Sequence, residues 1–278
     1  MSTLSTPSTA RNFALSATHF INLIQLNQLK FPTFALQVFM KIISQIAANF
    51  YHFLQGQMTK MWWKVTTVIL LFYTIIAGFL LGVPDKYILN ETIRNLYFHV
   101  PMWMAMLSVF VMSVFYSIRY LDKGLEKDDL AAVECVNTGM FFYVLGLLTG
   151  MLWAKYTWGA YWSGDPKQNS AAIAFLLYCA YLVLRNSIDE EQKRAKISAI
   201  YNIFAFPIMI VLIFVIPRMT DSLHPGNGGN PAFGRYDLDG RMRAVFYPAM
   251  AGWSLLAVWI ATIRYRIRLI EYKNNSLD

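Results

Sequence analysis

The sequence predicts an all-α membrane protein, a bundle of six transmembrane helices joined by irregular outward loops. Three observations carry this. First, 56% of the 278 residues are hydrophobic and only 14% are charged, whereas a soluble domain carries about a quarter charged residues. Second, the apolar residues gather into runs long enough to cross a bilayer as helices. Third, open sheet edges and irregular backbone are costly in lipid, so helices should carry these runs.

The first span is expected from about Trp62 to Gly82 and the second from about Leu96 to Ile118. The third covers about Glu134 to Trp153, and the fourth about Ser170 to Leu184, with a start as early as Lys167. The fifth covers about Ile197 to Ile216 and the sixth about Ala244 to Ile263. Basic residues cluster on one side of these spans, for example Lys60, Lys64, Arg119, Lys193, Arg194, Lys196, Arg264 and Arg268, and are sparser on the other. The positive-inside rule then puts both ends of the bundle in the cytoplasm. The net charge of +8 follows from this topology and gives no argument for a nucleic-acid partner. Cys135 and Cys179 both fall within spans with no CxxC pattern, which argues against thiol redox chemistry and a cysteine metal site.

Residues 1–57 differ in character from 58–278 and form an N-terminal extension. Three readings stay open for it. Phe31–Phe53 is an interfacial amphipathic helix, the segment is a targeting signal, or translation starts at Met58, where Met58-Thr59-Lys60-Met61-Trp62-Trp63-Lys64 has the form of a basic start before a first span. The short charged connections, Arg119–Asp129 and Asp189–Lys196, read as solvated linkers, and Arg264–Asp278 as a frayed end.

Chemistry concentrates on the outward side. Of four histidines, His19 and His52 lie in the extension. His99 sits near the outward end of the second span, in Tyr97-Phe98-His99-Val100-Pro101, and His224 in the last outward loop, in Ser222-Leu223-His224-Pro225-Gly226. A neutral imidazole offers one lone pair to a metal, and two on opposite faces of a porphyrin make an axial pair for iron. The bland alternative is an interfacial helix residue and a solvated loop residue. Between them, a signature loop at about 153–169 packs Trp153, Tyr156, Trp158, Tyr161 and Trp162 into a short stretch. An interfacial belt explains one or two rings at a span end. A glycine-spaced cluster, with Gly159 among its glycines, instead suits a flat platform for a porphyrin face. Asp165-Pro166 has the form of a helix N-cap with proline at the first helical position, so Asp165 caps the fourth span and orients the loop. Lys155, Lys167, Arg94, Arg241 and Arg243 are candidates to pair with porphyrin propionates.

Trp158-Gly159-x-Tyr161-Trp162-x-x-Asp165 resembles the tryptophan-rich "WWD" signature of the haem-handling membrane proteins. Phe98-His99-Val100-Pro101 with Trp103 downstream resembles the histidine motif of the haem exporter protein C branch. The similarity spans about Trp62–Tyr265. Two positions depart from the pattern: Tyr161 stands where the family has Trp, and Gly164 where it has a further Trp. The resemblance implies a protein of the bacterial inner membrane that presents haem b at the outer face. His99 and His224 would be the axial ligands, and Trp158, Gly159, Tyr161, Trp162 and Asp165 the platform. It also implies delivery to a haem chaperone of cytochrome c maturation beside ABC-type transporter subunits, with no catalytic residue of its own. The loss of a ring at Gly164 makes a smaller or rearranged platform. The runner-up is a cytochrome c synthase subunit that attaches haem directly. A small-molecule secondary transporter is less favoured, since only Asn137, Asn202 and Pro207 hint at polar or broken membrane helices.

If translation starts at Met58, mass spectrometry of the mature protein yields no peptide from Arg11–Lys30, and recovery of such a peptide refutes that start.

Overall fold

The computed structural model describes residues 59–84, 89–225 and 238–275. The expectations for the N-terminal extension, including His19 and His52, fall outside them. Lys60–Asp278 forms one compact unit. Its helices are α1 (Trp62–Leu80), α2 (Leu96–Lys123), α3 (Glu126–Trp158), α4 (Pro166–Asn186), α5 (Glu191–Ile210) and α6 (Gly240–Asn275). All six belong to segments long and apolar enough to cross a membrane, and no strand occurs among the described residues. The all-α, six-span architecture read from the sequence is therefore the architecture of the fold. Large apolar side chains such as Ile69, Phe72, Phe141, Val183 and Phe204 face outward, as a lipid solvent allows.

Helix α2 is central and packs on α3, α5 and α6, while α1 leans on α6. The contact between α2 and α3 is close because α3 presents glycines to it. A Cβ on Gly139 would lie 2.4 Å from Phe110, one on Gly146 3.1 Å from Trp103, and one on Gly150 2.7 Å from His99. Small residues let membrane helices approach where no hydrophobic effect drives them together. Asn202, which in the sequence hinted at a transport path, is instead buried as part of the packing: its amide donates to Ser113 Oγ at 2.9 Å and Ser117 Oγ at 3.0 Å.

The helices overrun the predicted spans at several ends. Arg119–Asp129 is not a solvated linker. Helix α2 runs to Lys123, Gly124 turns the chain with φ of 64°, and α3 starts at Glu126. Asp128 and Asp129 are buried there. Asp129 accepts two hydrogen bonds from Arg185 of α4, at 2.8 and 2.5 Å, and Asp128 pairs with Arg119 at 3.3 Å. Asp189–Lys196 likewise gives Glu191 and all that follows it to α5, and Ala195 is buried against Tyr120. Arg264–Asp278 is helical through Asn275, held by Arg264 and Arg268, which reach the buried Glu134 of α3 at 2.7 and 3.3 Å. Charges near a membrane segment persist when they are paired, and pairing extended these helices past their apolar runs.

At the opposite end of the bundle, α5 loosens into a π-helical turn, Val211–Val215, then a 3₁₀ turn, Ile216–Arg218. Irregular turns of this kind gather at functional sites.

Removing one member of a buried charge pair strands the other. Arg185→Leu should therefore lower stability by about 3 kcal/mol, read as a loss of thermal midpoint in detergent. The double variant Asp129→Leu/Arg185→Leu should recover part of that loss. Equal midpoints for wild type and the single variant would refute the pairing.

Candidate functional site

A cavity of about 240 Å³ lies at the end of the bundle where α2 and α4 begin and α3 and α5 finish. His99, Trp103, Trp153, Trp158, Lys167 and His224 are among the side chains lining it. The two histidines expected to meet do meet: their ring centroids are 6.1 Å apart, although 125 positions separate them in the chain.

His99 projects from the first turn of α2 and is buried. Its Nδ1 lies 3.1 Å from the Gly146 carbonyl and 3.2 Å from Thr149 Oγ1. The carbonyl can only accept. The Thr149 hydroxyl gives its proton to the Leu145 carbonyl at 2.7 Å, which leaves its oxygen as an acceptor too. Both partners therefore place the ring proton on Nδ1 and leave the Nε2 lone pair free. Orientation of a ligating histidine through its other nitrogen is the usual arrangement at metal sites.

His224 sits on the segment after α5 and is held there by Asp165. That carboxylate is buried and accepts from Lys167 N at 2.9 Å, as the N-cap of α4. It also accepts from Ser222 Oγ at 2.9 Å and from Leu223 N at 2.8 Å. The Ser222 hydroxyl oxygen in turn accepts from His224 N at 3.1 Å. The cap read from Asp165-Pro166 is thus present, and the same side chain anchors the segment that carries the second histidine. Burial first, and then the Lys167 ammonium, push the His224 imidazole down to about 4. The ring is therefore neutral at neutral pH, with a lone pair to offer, and protonates only as the pH falls through about 4.

The stretch 153–169 is not a loop throughout. Trp153 to Trp158 form the last turns of α3, which ends at Gly159 with a left-handed φ of 84°. Gly159 is exposed and serves as the helix stop. Trp153 and Trp158 meet the His224 ring edge-on at 5.8 and 6.2 Å, and Trp103 meets His99 in the same way at 6.1 Å. Trp162 also lines the cavity, and its indole N–H donates to Asn169 Oδ1 at 3.2 Å. Tyr161 is exposed and lies outside the lining, under the Lys155 ammonium at 5.7 Å. Gly164 takes a left-handed φ of 74°, a conformation that a side chain disfavours.

The structure also sorts the cations. Lys155 donates to the Gly159 carbonyl at 3.0 Å. Arg94 donates to the Gly78 and Leu81 carbonyls. Arg241 pairs with Asp239, and Arg243 donates to the Leu238 carbonyl. Lys167 alone of the five lines the cavity, joined there by Arg218.

Sequence reasoning passed over Gly146, Thr149, Gly150, Ser222 and Arg218. The run Gly146-Leu147-Leu148-Thr149-Gly150 carried a signal, since its glycines and threonine share one face of a helix. Nothing in the sequence tied that face to His99.

The Heme exporter protein C family profile matches residues 42–278. Heme exporter protein C of Paracoccus denitrificans is 26% identical over 199 residues, which is 70% of this chain and 80% of that protein. The protein of the same name from Rhodobacter capsulatus is 24% identical over 238 residues, 83% of this chain and 95% of that one. A shorter likeness joins the chain to the cytochrome c biogenesis protein CcsA of Prochlorococcus marinus, 37% identical over 89 residues, 32% of this chain and 28% of that protein. With the profile spanning all six membrane helices and both cavity histidines, the chain belongs to the Heme exporter protein C family.

Proposed function

We propose that residues 58–278 bind haem b in this cavity, at the outer face of a bacterial inner membrane, and deliver it to a haem chaperone during c-type cytochrome assembly. The observation that carries the reading is the pair of imidazoles across one cavity. A metal bonded to two imidazoles from opposite sides, with metal–nitrogen bonds of about 2 Å, holds the ring centroids about 6 Å apart, and His99 and His224 stand at 6.1 Å. The remaining walls agree with a porphyrin. Trp103, Trp153, Trp158 and Trp162 supply polarisable apolar surface, and Lys167 and Arg218 supply positive charge.

Relatives named as heme exporters and as a cytochrome c biogenesis protein support the pathway. In this reading His99 and His224 are the axial ligands, Trp158 and Trp162 the platform, and Asp165 a positioning residue. Gly159 ends α3 so that the chain can turn toward Trp162, and Tyr161 forms the exposed rim. The distribution of Lys and Arg supports a cytoplasmic location for both ends of the bundle. Partners on the outer side are the chaperone that receives the haem and ABC-type transporter subunits of the same pathway. The protein acts by holding and presenting its cargo, and the reading assigns it no catalytic residue.

Absorption spectra test the ligands. Wild type loaded with haem should show a low-spin spectrum with sharp visible bands on reduction. His99→Ala and His224→Ala should each abolish it and stop c-type cytochrome formation. Wild-type bands in both single variants would overturn axial ligation.

Asp165→Ala should leave α4 in place, because loss of an N-cap costs about 1 kcal/mol. It should nevertheless release the Ser222–His224 segment, so that bound haem keeps one ligand and turns high-spin. An unchanged low-spin spectrum would refute the positioning role.

A further inference from the structure

His224 Nδ1 has two partners that require opposite tautomers. The Pro225 carbonyl lies 3.1 Å away and can only accept, so that contact needs the proton on Nδ1 and leaves Nε2 free. The Lys167 ammonium also lies 3.1 Å away and can only donate, so that contact needs a bare Nδ1 and puts the proton on Nε2. In the second arrangement His224 has no lone pair for a metal at Nε2. Lys167 further reaches the Pro225 carbonyl itself at 3.4 Å, so it competes for both ends of the useful hydrogen bond.

Lys167 shares the cavity lining with Arg218, and the two like charges repel. Arg218 has no hydrogen bond or ion pair to any described residue. Asp165, the nearby carboxylate, already accepts from Ser222, Leu223 N and Lys167 N. Among the described residues the cavity thus sets two cations beside one carboxylate that is already engaged, and the Lys167 contact at Nδ1 favours the tautomer that protonates His224 Nε2. A carboxylate entering between them would satisfy both charges and draw the Lys167 ammonium off His224.

We propose, resting on the haem reading above, that Lys167 and Arg218 form a carboxylate subsite, and that a carboxylate bound there frees His224 for the iron. The cargo's own propionate groups then set the tautomer of one of its ligands. One N–H bond breaks and one forms: water takes the proton from Nε2 and returns one to Nδ1, so the ring stays neutral, and the new N–H donates to the Pro225 carbonyl. A porphyrin without carboxylates would meet His99 alone.

The test uses the full-length protein in detergent with ferric protohaem and with its dimethyl ester, which keeps the ring, iron and vinyl groups but lacks the charges. Wild type should bind the free acid as a six-coordinate, low-spin complex. It should bind the ester about tenfold more weakly, the worth of a charge-assisted hydrogen bond, and as a five-coordinate, high-spin complex. In Lys167→Met the ester should become low-spin, because nothing competes with Pro225 for the imidazole proton. Arg218→Gln should weaken the free acid toward the ester and leave ester binding as it was. Equal affinity and equal spin state of acid and ester in wild type would overturn the subsite, and this comparison needs no variant to fold. An ester complex that stays high-spin in Lys167→Met would overturn the tautomer coupling. Absence of a His99- and His224-dependent low-spin spectrum with the free acid would instead sink the haem reading, and this proposal with it.

Discussion

The cavity depends on one buried carboxylate. Asp165 begins α4 by accepting from Lys167 N, and in the same position it accepts from Ser222 and Leu223 N. A carboxylate has about four lone-pair sites, and this one spends them on two segments that are far apart in sequence. Without it, only the Lys167 ammonium would tie His224 to α4. Hydrogen bonds to an ionised group are about twice as strong as neutral ones, which suits a strap that must keep its place without a helix around it.

The opposite wall is built by packing. His99 fits because Gly150 has no side chain to meet it, and Trp103 fits because Gly146 has none. The same turn of α3 supplies the Gly146 carbonyl and Thr149 hydroxyl that fix the His99 tautomer. One helix face thus provides both the room and the orientation. The two histidines are therefore held by unlike means. His99 has a single protonation pattern enforced from behind, while His224 stands between two partners that disagree.

The membrane architecture was legible because lipid imposes one rule on every span, and the six apolar runs obey it. The span ends were not, because hydropathy stops where the helices do not: Asp129 and Arg185 remain inside the fold by pairing with each other. The two cavity histidines could be picked out by residue type and by the end of the bundle where they lie. That they face each other follows from the Asp165 clamp, which no local pattern announces. The aromatic stretch stood out in composition, but Trp153 and Trp158 belong to α3, so helical geometry decides which rings turn toward His224 and leaves Tyr161 outside the cavity lining. Among the cations, type and position alone did not separate Lys155, engaged with its own helix end, from Lys167, which faces the cavity.

Charge is distributed unevenly along α3. Near its start it is fastened to α2 through Asp128 and Arg119, to α4 through Asp129 and Arg185, and to α6 through Glu134 with Arg264 and Arg268. Near its finish it carries the tryptophans. The helix is a post footed in ion pairs, with its head forming one side of a doorway. That wall is anchored at its far end, and the segment that carries His224 faces it, fastened to Asp165. His224 is thus held by hydrogen bonds to a segment outside the helices, and His99 by the close packing of two helices.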